Sequence, residues 1–325
     1  MTSAITYDDI VAARMRIATH IQPLRVSRSE SLCARFGTNI HLAHEYLQTT
    51  GAFKLRGAMN AVLQLAAGAS GVTAVSTGNH GRALAYAAKQ AGVPCIICMS
   101  KLVPENKLRA IEALGAEIRI VGKSQDEAEV EAKRLVEAEG YTMIPPFDHA
   151  HVIAGQGTLG LEMLQAVPDV DTVLVQVSGG GLISGVALAL KTRRPQIRII
   201  GVSMRRGAAM AASQAAGKPI EIEELPTLAD SLGGGIGLDN RHTFEMVRDL
   251  VDDQVLLDEE EIAAGIRHAY FEEKVVLEGS GSVGLGALLA NKVEPGDNTI
   301  VLLSGQNIDM QLHRQIINGE HQHYA

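Results

Sequence analysis

Residues 72–81 read Val72-Thr73-Ala74-Val75-Ser76-Thr77-Gly78-Asn79-His80-Gly81. An apolar, β-branched run comes first, a short polar turn follows, and an alanine-rich run then extends to Ala91. This order predicts a β-strand that leads through a tight turn into an α-helix. The turn gathers hydroxyls, an amide and free backbone N–H groups at a helix N-terminus, where an anion is favoured. An ordinary capped turn explains the same residues, so an anion site needs support from elsewhere in the chain.

The same alternation of strand and helix continues in both directions. Runs such as Cys95–Met99 are apolar on both faces, as buried parallel strands require. Between residues 69 and 148 we predict strands at Val72–Val75, Pro94–Met99, Glu117–Val121 and Tyr141–Ile144, with helices at Arg82–Ala91, Glu105–Leu114 and Gln125–Glu139. Elsewhere we predict strands at Ile40–His44, Thr172–Val177, Ile197–Val202, Gln254–Leu257 and Thr299–Leu303, with helices at Leu182–Lys191, Asp258–Tyr270 and Ser282–Ala290.

These elements predict an α/β fold with two domains, each with a mostly parallel sheet flanked by helices. A large domain would comprise residues 1–68 and 149–325, and a small domain of residues 69–148 would be inserted in it. Pro145-Pro146 suits the crossing between the domains. We expect the strand Ile40–His44 and the helix that holds Lys54 to join the larger sheet. The ligand crevice would then lie between the two sheets, at the carboxyl ends of their strands.

A second motif places a lysine directly after an aromatic residue, within Thr50-Gly51-Ala52-Phe53-Lys54-Leu55-Arg56-Gly57-Ala58. Lys54 would stand at the start of a helix over Leu55–Leu65. A lysine that forms a Schiff base must lose its proton near neutral pH, which calls for an apolar or cationic neighbourhood. Phe53 would supply the first, and Arg56 is a candidate for the second. Most lysines are solvated, so the motif alone is also compatible with an ordinary surface lysine.

Two further motifs follow predicted strands. Three consecutive glycines let a backbone approach a ligand closely, and their N–H groups can form a phosphate cradle. This motif reads Ser178-Gly179-Gly180-Gly181-Leu182-Ile183-Ser184-Gly185 and opens a predicted helix. The other reads Leu302-Leu303-Ser304-Gly305-Gln306-Asn307 and closes the last predicted strand.

Together the four motifs resemble those of the pyridoxal-phosphate enzymes of fold type II (tryptophan synthase β-like), in particular the serine/threonine dehydratase and serine racemase family. The resemblance runs from about Tyr7 to Gly319 and includes Val152–Thr158 as a connector. It implies pyridoxal 5′-phosphate as the cofactor and Lys54 as the residue that binds it as a Schiff base. It implies these further roles: Phe53 against the pyridine face, Asn79 at the ring 3′-oxygen, Ser178, Gly179, Gly180, Gly181 and Leu182 at the phosphate, Ser304 at the pyridine nitrogen, and Ser76, Thr77, Gly78, Asn79 and His80 around the substrate carboxylate.

The resemblance implies a lyase that converts a β-hydroxy amino acid to a 2-oxo acid and ammonia by β-elimination, with Lys54, Thr77 and Ser304 as catalytic residues. Racemases place a proton-donating serine where this chain has Thr77, so a serine-type racemase stays open as an alternative. A non-catalytic protein that binds the cofactor or an amino acid is a second alternative. The loop Ala229–Gly237 resembles that of the dehydratase subgroup linked to hydroxyectoine utilisation.

Relatives with a divalent cation site carry an acid just after the strand Ile197–Val202. This chain has Ser203 and Ala209 there, and neither side chain is a credible ligand of a divalent ion, so we predict no metal. We expect a homodimer that acts on a small amino acid.

Composition narrows the class of protein further. The 325 residues carry a formal net charge of −8, which argues against nucleic acid as a partner. Cys33, Cys95 and Cys98 form no disulfide framework, and the last two lie inside a predicted strand, which indicates buried thiols in a reducing compartment. The sequence shows no signal peptide at its start and no apolar run of about 20 residues that could span a membrane. We therefore expect a cytoplasmic enzyme.

Overall fold

The computed structural model describes residues 5–76, 78–101, 103 and 105–320. The strands are Val26–Arg28 (β1), Asn39–His44 (β2), Gly71–Val75 (β3), Cys95–Met99 (β4), Glu117–Ile120 (β5), Tyr141–Met143 (β6), Thr172–Gln176 (β7), Arg198–Met204 (β8), Asp253–Leu257 (β9) and Asn298–Leu303 (β10). The helices are Tyr7–Ile17 (α1), Glu30–Phe36 (α2), Lys54–Val62 (α3), Asn79–Ala91 (α4), Glu105–Glu112 (α5), Gln125–Glu139 (α6), Ala150–Ala166 (α7), Gly181–Arg193 (α8), Ala209–Ala216 (α9), Thr243–Leu250 (α10), Glu259–Phe271 (α11), Gly279–Leu289 (α12) and Met310–Asn318 (α13).

The strands form two sheets. A six-stranded sheet has the order β1-β2-β10-β7-β8-β9, in which β1 is antiparallel to β2 and every other neighbouring pair is parallel. A four-stranded, wholly parallel sheet has the order β5-β4-β3-β6. The predicted α/β fold with two mostly parallel sheets is therefore confirmed. All strands of the smaller sheet fall within residues 69–148, while the proposed domain boundaries themselves stay a prediction.

Helices cover both faces of the large sheet. Successive side chains of a strand point to opposite faces, and in these strands both sets are apolar and need to be buried. Ile300 and Leu302 of β10 pack with apolar residues of α7, α8 and α10. Val301 and Leu303 of the same strand pack with α2, α11, α12 and α13 on the other face. The buried strands of the small sheet are covered in the same way, by α4 and α5 on one face and α6 on the other. The near-continuous apolar runs of the sequence follow from this double burial.

Helix α7 corrects the interpretation of Val152–Thr158 as a connector. These residues are buried in the middle of a 17-residue helix that packs against α1, α3 and α8. Because α7 is covered on nearly every side, its sequence has no amphipathic period that would reveal a helix. A Cβ at Gly155 would lie 2.6 Å from the backbone oxygen of Arg56, so the close approach of α3 requires a glycine there. Among the described residues, no helix is long and apolar enough to cross a membrane.

The position of α3 was only partly predicted. The strand β2 joins the large sheet as expected. Leu55, Met59 and Val62 of α3, however, belong to the apolar cluster around the small sheet, together with residues of α4. The same helix contacts α7, which covers the large sheet. Helix α3 therefore lies between the two sheets, and its first residue, Lys54, is at the junction.

Candidate active site

Two of the four motifs meet at one edge of the large sheet. The glycine loop follows β7 and Ser304 follows β10. These strands are parallel neighbours, so their carboxyl ends lie side by side at the edge where open α/β sheets bind ligands. The loop continues into α8, which begins at Gly181, and the first N–H groups of that helix have no partner within the helix.

Backbone hydrogen bonds hold the lysine motif on the end of β10. The N–H of Phe53 donates to the carbonyl of Ser304 at 2.9 Å, and Ala52 forms an isolated antiparallel bridge with Gly305. Lys54 is the first residue of α3. Its ammonium Nζ donates to the carbonyl of Pro146 at 2.8 Å and lies 5.2 Å from the centre of the Phe53 ring. The lysine motif is thus anchored on the end of β10, and the amine of Lys54 contacts the segment that connects the two sheets.

The environment of Lys54 makes its ammonium group easier to deprotonate. Burial lowers the pKa of Lys54 to about 8, and the negative charge of Glu278 acts in the opposite direction. Arg56 does not supply the expected cationic neighbour. Its fully buried guanidinium is paired with Glu45 at 2.7 Å and with Glu162 at 2.6 Å. These carboxylates neutralise the charge of Arg56, so it does not act on Lys54. Desolvation, and not a second cation, is the cause of the lowered pKa.

The glycine loop packs against the segment that also contacts Lys54. A Cβ at Gly179 would lie 2.3 Å from the ring of Phe147, and Gly180 has a φ of +89°. Side chains at either position would therefore collide or strain the backbone. Pro146 and Phe147 lie next to each other, so one segment connects the Lys54 amine to the loop. The structure places the lysine, the loop and Ser304 around one site.

Asn79 and His80 begin α4 and reach the same site from the small sheet. The Nδ2 group of Asn79 donates to Oε1 of Glu278 at 2.8 Å, while its Oδ1 accepts from Nδ2 of Asn307 at 2.7 Å. The His80 ring bonds through Nε2 to the carbonyl of Ile144 at 2.7 Å. Burial lowers the pKa of His80 to about 3, with a smaller contribution from the charge of Lys54. His80 is therefore neutral near pH 7 and offers no positive charge to an anion.

The polar turn before α4 is described on both sides of Thr77, which itself lies outside the described residues. Ser76 Oγ accepts from the N–H of Gly81 at 3.2 Å. A Cβ at Gly78 would have open space around it. The turn therefore combines a helix N-terminus with open space, which is compatible with the binding of a carboxylate. The catalytic role assigned to Thr77 stays a prediction.

Glu278 is the residue of the site that motif reasoning missed. Its side chain is buried and accepts hydrogen bonds from both Asn79 and the backbone of Asn307. Burial raises the pKa of Glu278 to about 7, the charge of Asp230 raises it further, and these hydrogen bonds act against the rise. The available signal was an acidic residue directly before the glycine-rich apolar stretch Gly279–Leu289. Such a residue is most simply interpreted as the start of a helix, which is why its place in the site was missed.

The predicted absence of a divalent metal concerns residues at the end of β8 and just after it. Ser203 is buried at the end of that strand and its hydroxyl donates to the sulfur of Met204 at 3.3 Å, while Ala209 begins α9. In the part of the chain that the structure describes, no group of three or more histidine, cysteine or acidic residues is arranged to hold a metal. The absence of a metal requirement stays a prediction.

Known proteins resemble this chain over nearly its whole length. A family model described as pyridoxal-phosphate dependent enzyme matches residues 17–305. The chain is 58% identical over 320 residues to a putative threonine dehydratase of Sinorhizobium fredii, which covers 98% of this chain and 96% of that protein. It is 39% identical over 316 residues to an L-threonine ammonia-lyase of Thermotoga maritima, with 97% and 78% covered. Among solved structures, maize serine racemase has a TM-score of 0.90 at 36% identity and covers 98% of both chains.

Proposed function

Since the chain belongs to the pyridoxal-phosphate dependent enzymes, we propose that it is a dehydratase or ammonia-lyase that converts a β-hydroxy amino acid to a 2-oxo acid and ammonia. The observation that carries the proposal is the lowered pKa of the Lys54 amine, which burial causes and which suits the amine to proton transfer. This amine lies where the glycine loop, Ser304 and the start of α4 converge. The relatives named as threonine dehydratase and threonine ammonia-lyase support the reaction type.

The residues at this place fit pyridoxal 5′-phosphate. The glycine loop packs closely against Phe147 at Gly179 and has a left-handed glycine at Gly180. This loop would hold the phosphate through Ser178, Gly179, Gly180, Gly181 and Leu182. Lys54 would bind the cofactor covalently, Phe53 would lie against its ring, Asn79 would reach its 3′-oxygen and Ser304 its pyridine nitrogen. When bound, the cofactor withdraws electrons from the Cα atom of an amino acid.

Lys54 is the proton carrier of the proposed reaction. Its lowered pKa leaves an appreciable neutral fraction near pH 7 to 8, as a general base requires. Once the amino group of the substrate has replaced Lys54, the freed amine would remove the Cα proton, and the β-hydroxyl would take up a proton and leave as water. The 2-oxo acid and ammonia then form by hydrolysis. The carbonyl of Pro146 accepts a hydrogen bond from this amine and so helps to hold it in place.

Ser304 bears on the choice of reaction. It is buried at the end of β10, and a neutral hydroxyl cannot keep a ring nitrogen protonated as a carboxylate would. A less protonated ring withdraws electrons more weakly, which favours rapid elimination over transamination. The start of α4, with Ser76, Gly78 and the following N–H groups, would hold the substrate carboxylate.

The decisive experiment is ammonia release across a panel of β-hydroxy amino acids that includes threonine, serine, and diamino and dicarboxylic members. We expect at least one member to yield equal amounts of ammonia and 2-oxo acid, and the Lys54→Ala variant to yield neither. If the cofactor-loaded enzyme releases ammonia from none of them, the proposal is wrong.

A serine-type racemase is the second candidate, because the similarity to maize serine racemase extends over nearly the whole chain. Incorporation of solvent deuterium into recovered substrate, with inversion at Cα, would support racemisation. Deuterium-free substrate during turnover would exclude it. The homodimer and the cytoplasmic location belong to the same proposal. The free, buried cysteines Cys33, Cys95 and Cys98 fit a reducing compartment, and light scattering of the purified enzyme tests the dimer.

A further inference from the structure

Glu278 lies in the candidate active site with both carboxylate oxygens in use. Oε1 accepts from Nδ2 of Asn79 at 2.8 Å, and Oε2 accepts from the backbone N–H of Asn307 at 3.1 Å. Its own N–H donates to the carbonyl of Gly305 at 3.2 Å. A Cβ at Gly305 would lie 2.3 Å from Oε1, so the carboxylate is pressed against the backbone that follows Ser304. The side chain of Glu278 therefore has little freedom to rotate.

The partners of Asn79 determine which way its amide group points. The ionised carboxylate of Glu278 can only accept hydrogen bonds, and the NH2 group of Asn307 can only donate them, so Asn307 selects the same orientation when Glu278 is protonated. The Asn307 Nδ2 group reaches Asn79 Oδ1 at 2.7 Å and the carbonyl of Thr50 at 2.9 Å. Both contacts of Asn79 are satisfied only when its NH2 faces Glu278 and its oxygen faces Asn307. In most proteins the two amide orientations are hard to distinguish, but here an acceptor and a donor select one.

This orientation matters for the cofactor. An asparagine NH2 group has two hydrogens, and Glu278 uses only one of them. The second hydrogen is available for an acceptor in the site, such as the 3′-oxygen of the cofactor ring. In the flipped orientation Asn79 would present its carbonyl oxygen to that ring oxygen, and two acceptors would repel each other.

The same contacts connect the two sheets. Asn79 begins the helix that follows β3 of the small sheet, whereas Glu278 directly precedes α12 and Asn307 follows β10 of the large sheet. The other charged groups that act on these residues are Lys54, Arg82 and Asp230. Arg82 lies one turn after Asn79 on α4, which places it on the same face of that helix.

We propose that Glu278 is a positioning residue, which fixes the Asn79 amide with its NH2 group toward the 3′-oxygen of the cofactor and holds the small sheet against the large one. The proposal rests on the cofactor placement given above. Glu278 acts through Asn79 and Asn307 and takes no part in bond breaking. Its loss should therefore weaken cofactor binding even when no substrate is present.

The test is the dissociation constant of pyridoxal phosphate, measured by dialysis of the loaded enzyme against graded free cofactor. In Glu278→Gln the backbone N–H of Asn307 would hold the oxygen of the new amide, so the new NH2 group would face the NH2 group of Asn79 and that hydrogen bond would be lost. We expect binding to weaken about tenfold or more, which corresponds to about 1.4 kcal/mol, because the NH2 group of Asn79 is no longer held in place. Glu273→Gln is the matched control: its carboxylate accepts from Ser29 and Ser31 outside the site, and cofactor binding should be unchanged.

A double-mutant cycle separates positioning from a general structural role. If Glu278 acts through Asn79, the variant Asn79→Ala with Glu278→Gln binds the cofactor no more weakly than Asn79→Ala alone. Additive losses would overturn the proposal. If Glu278→Gln does not fold, Asn307→Asp tests the same contacts from the other side, since a carboxylate cannot donate to Asn79 Oδ1. Wild-type affinity in Asn307→Asp would equally overturn it.

The experiment also distinguishes this inference from the proposed function. If Lys54→Ala keeps the visible absorbance of the bound cofactor, the cofactor lies elsewhere and the proposed site is wrong. If Lys54→Ala loses that absorbance while Glu278→Gln binds the cofactor like the wild type, the site stands and only the role of Glu278 is wrong.

Discussion

The buried amine of Lys54 should destabilise the protein when the cofactor is absent. Burial lowers the pKa of this lysine from its ordinary value of 10.5 to about 8. Each tenfold change in proton affinity is worth about 1.4 kcal/mol, so the charged amine costs the folded chain at most about 3.5 kcal/mol at neutral pH. The Lys54 side chain is partly exposed, and solvent reduces this figure, so we expect about 1–3 kcal/mol. Replacement by methionine, which has a similar length and no charge, should recover this free energy.

The sign of the pH dependence follows from proton binding. Between about pH 8 and 10.5 the unfolded chain holds a proton on Lys54 that the folded chain has released. The free energy of unfolding of the wild type therefore rises with pH in this window relative to that of Lys54→Met. The variant should be more stable at pH 7, and the difference should disappear near pH 10.5.

Denaturant unfolding of both cofactor-free proteins from pH 6.5 to 10.5 measures this difference directly. Lys218→Met, at an exposed lysine, is the matched control and should show no comparable change. A difference between Lys54→Met and the wild type that stays constant over the whole window would refute the reasoning. So would a less stable Lys54→Met variant at pH 7, because the hydrogen bond to Pro146 would then outweigh the cost of burial.

Four other outcomes are expected. Borohydride reduction of the loaded enzyme followed by peptide mapping should label Lys54, and a label on any other lysine would contradict the assignment. Ser304→Asp should raise the pKa of the ring nitrogen it faces and shift products from elimination toward transamination or racemisation; unchanged product ratios with cofactor bound would count against Ser304 as its partner. EDTA treatment at constant potassium should leave activity largely intact, whereas a loss beyond about tenfold that a divalent cation restores would reveal a metal, worth about 1.4 kcal/mol or more. Arg56→Ala should lower the free energy of unfolding by about 3–5 kcal/mol, because it leaves the buried carboxylates of Glu45 and Glu162 unpaired; a loss below about 1 kcal/mol in urea unfolding would show that the pair contributes little.

Local sequence was sufficient for the elements that frame the site. The strand and helix on either side of Ser76–Gly81, and the strands before Ser178 and Ser304, lie where the patterns placed them, within a few residues. Such patterns work because a strand buried on both faces needs a continuous apolar run and a loop near a ligand needs glycine. Helix α7 escaped the same reasoning, since a helix covered on nearly every side has no polar face to mark its period.

By itself the sequence determined the class of fold and the four motifs, because strand, turn and helix preferences act between residues that are close along the chain. Only the tertiary structure decided which groups meet. Glu278 contacts Asn79 across 199 positions, and Arg56 is neutralised by Glu45 and Glu162 and so does not act on Lys54. Desolvation depends on everything packed around a group, including distant segments such as the carbonyl of Pro146. The lowered pKa of Lys54 and the orientation of the Asn79 amide are therefore properties of the packed molecule, which no single motif contains.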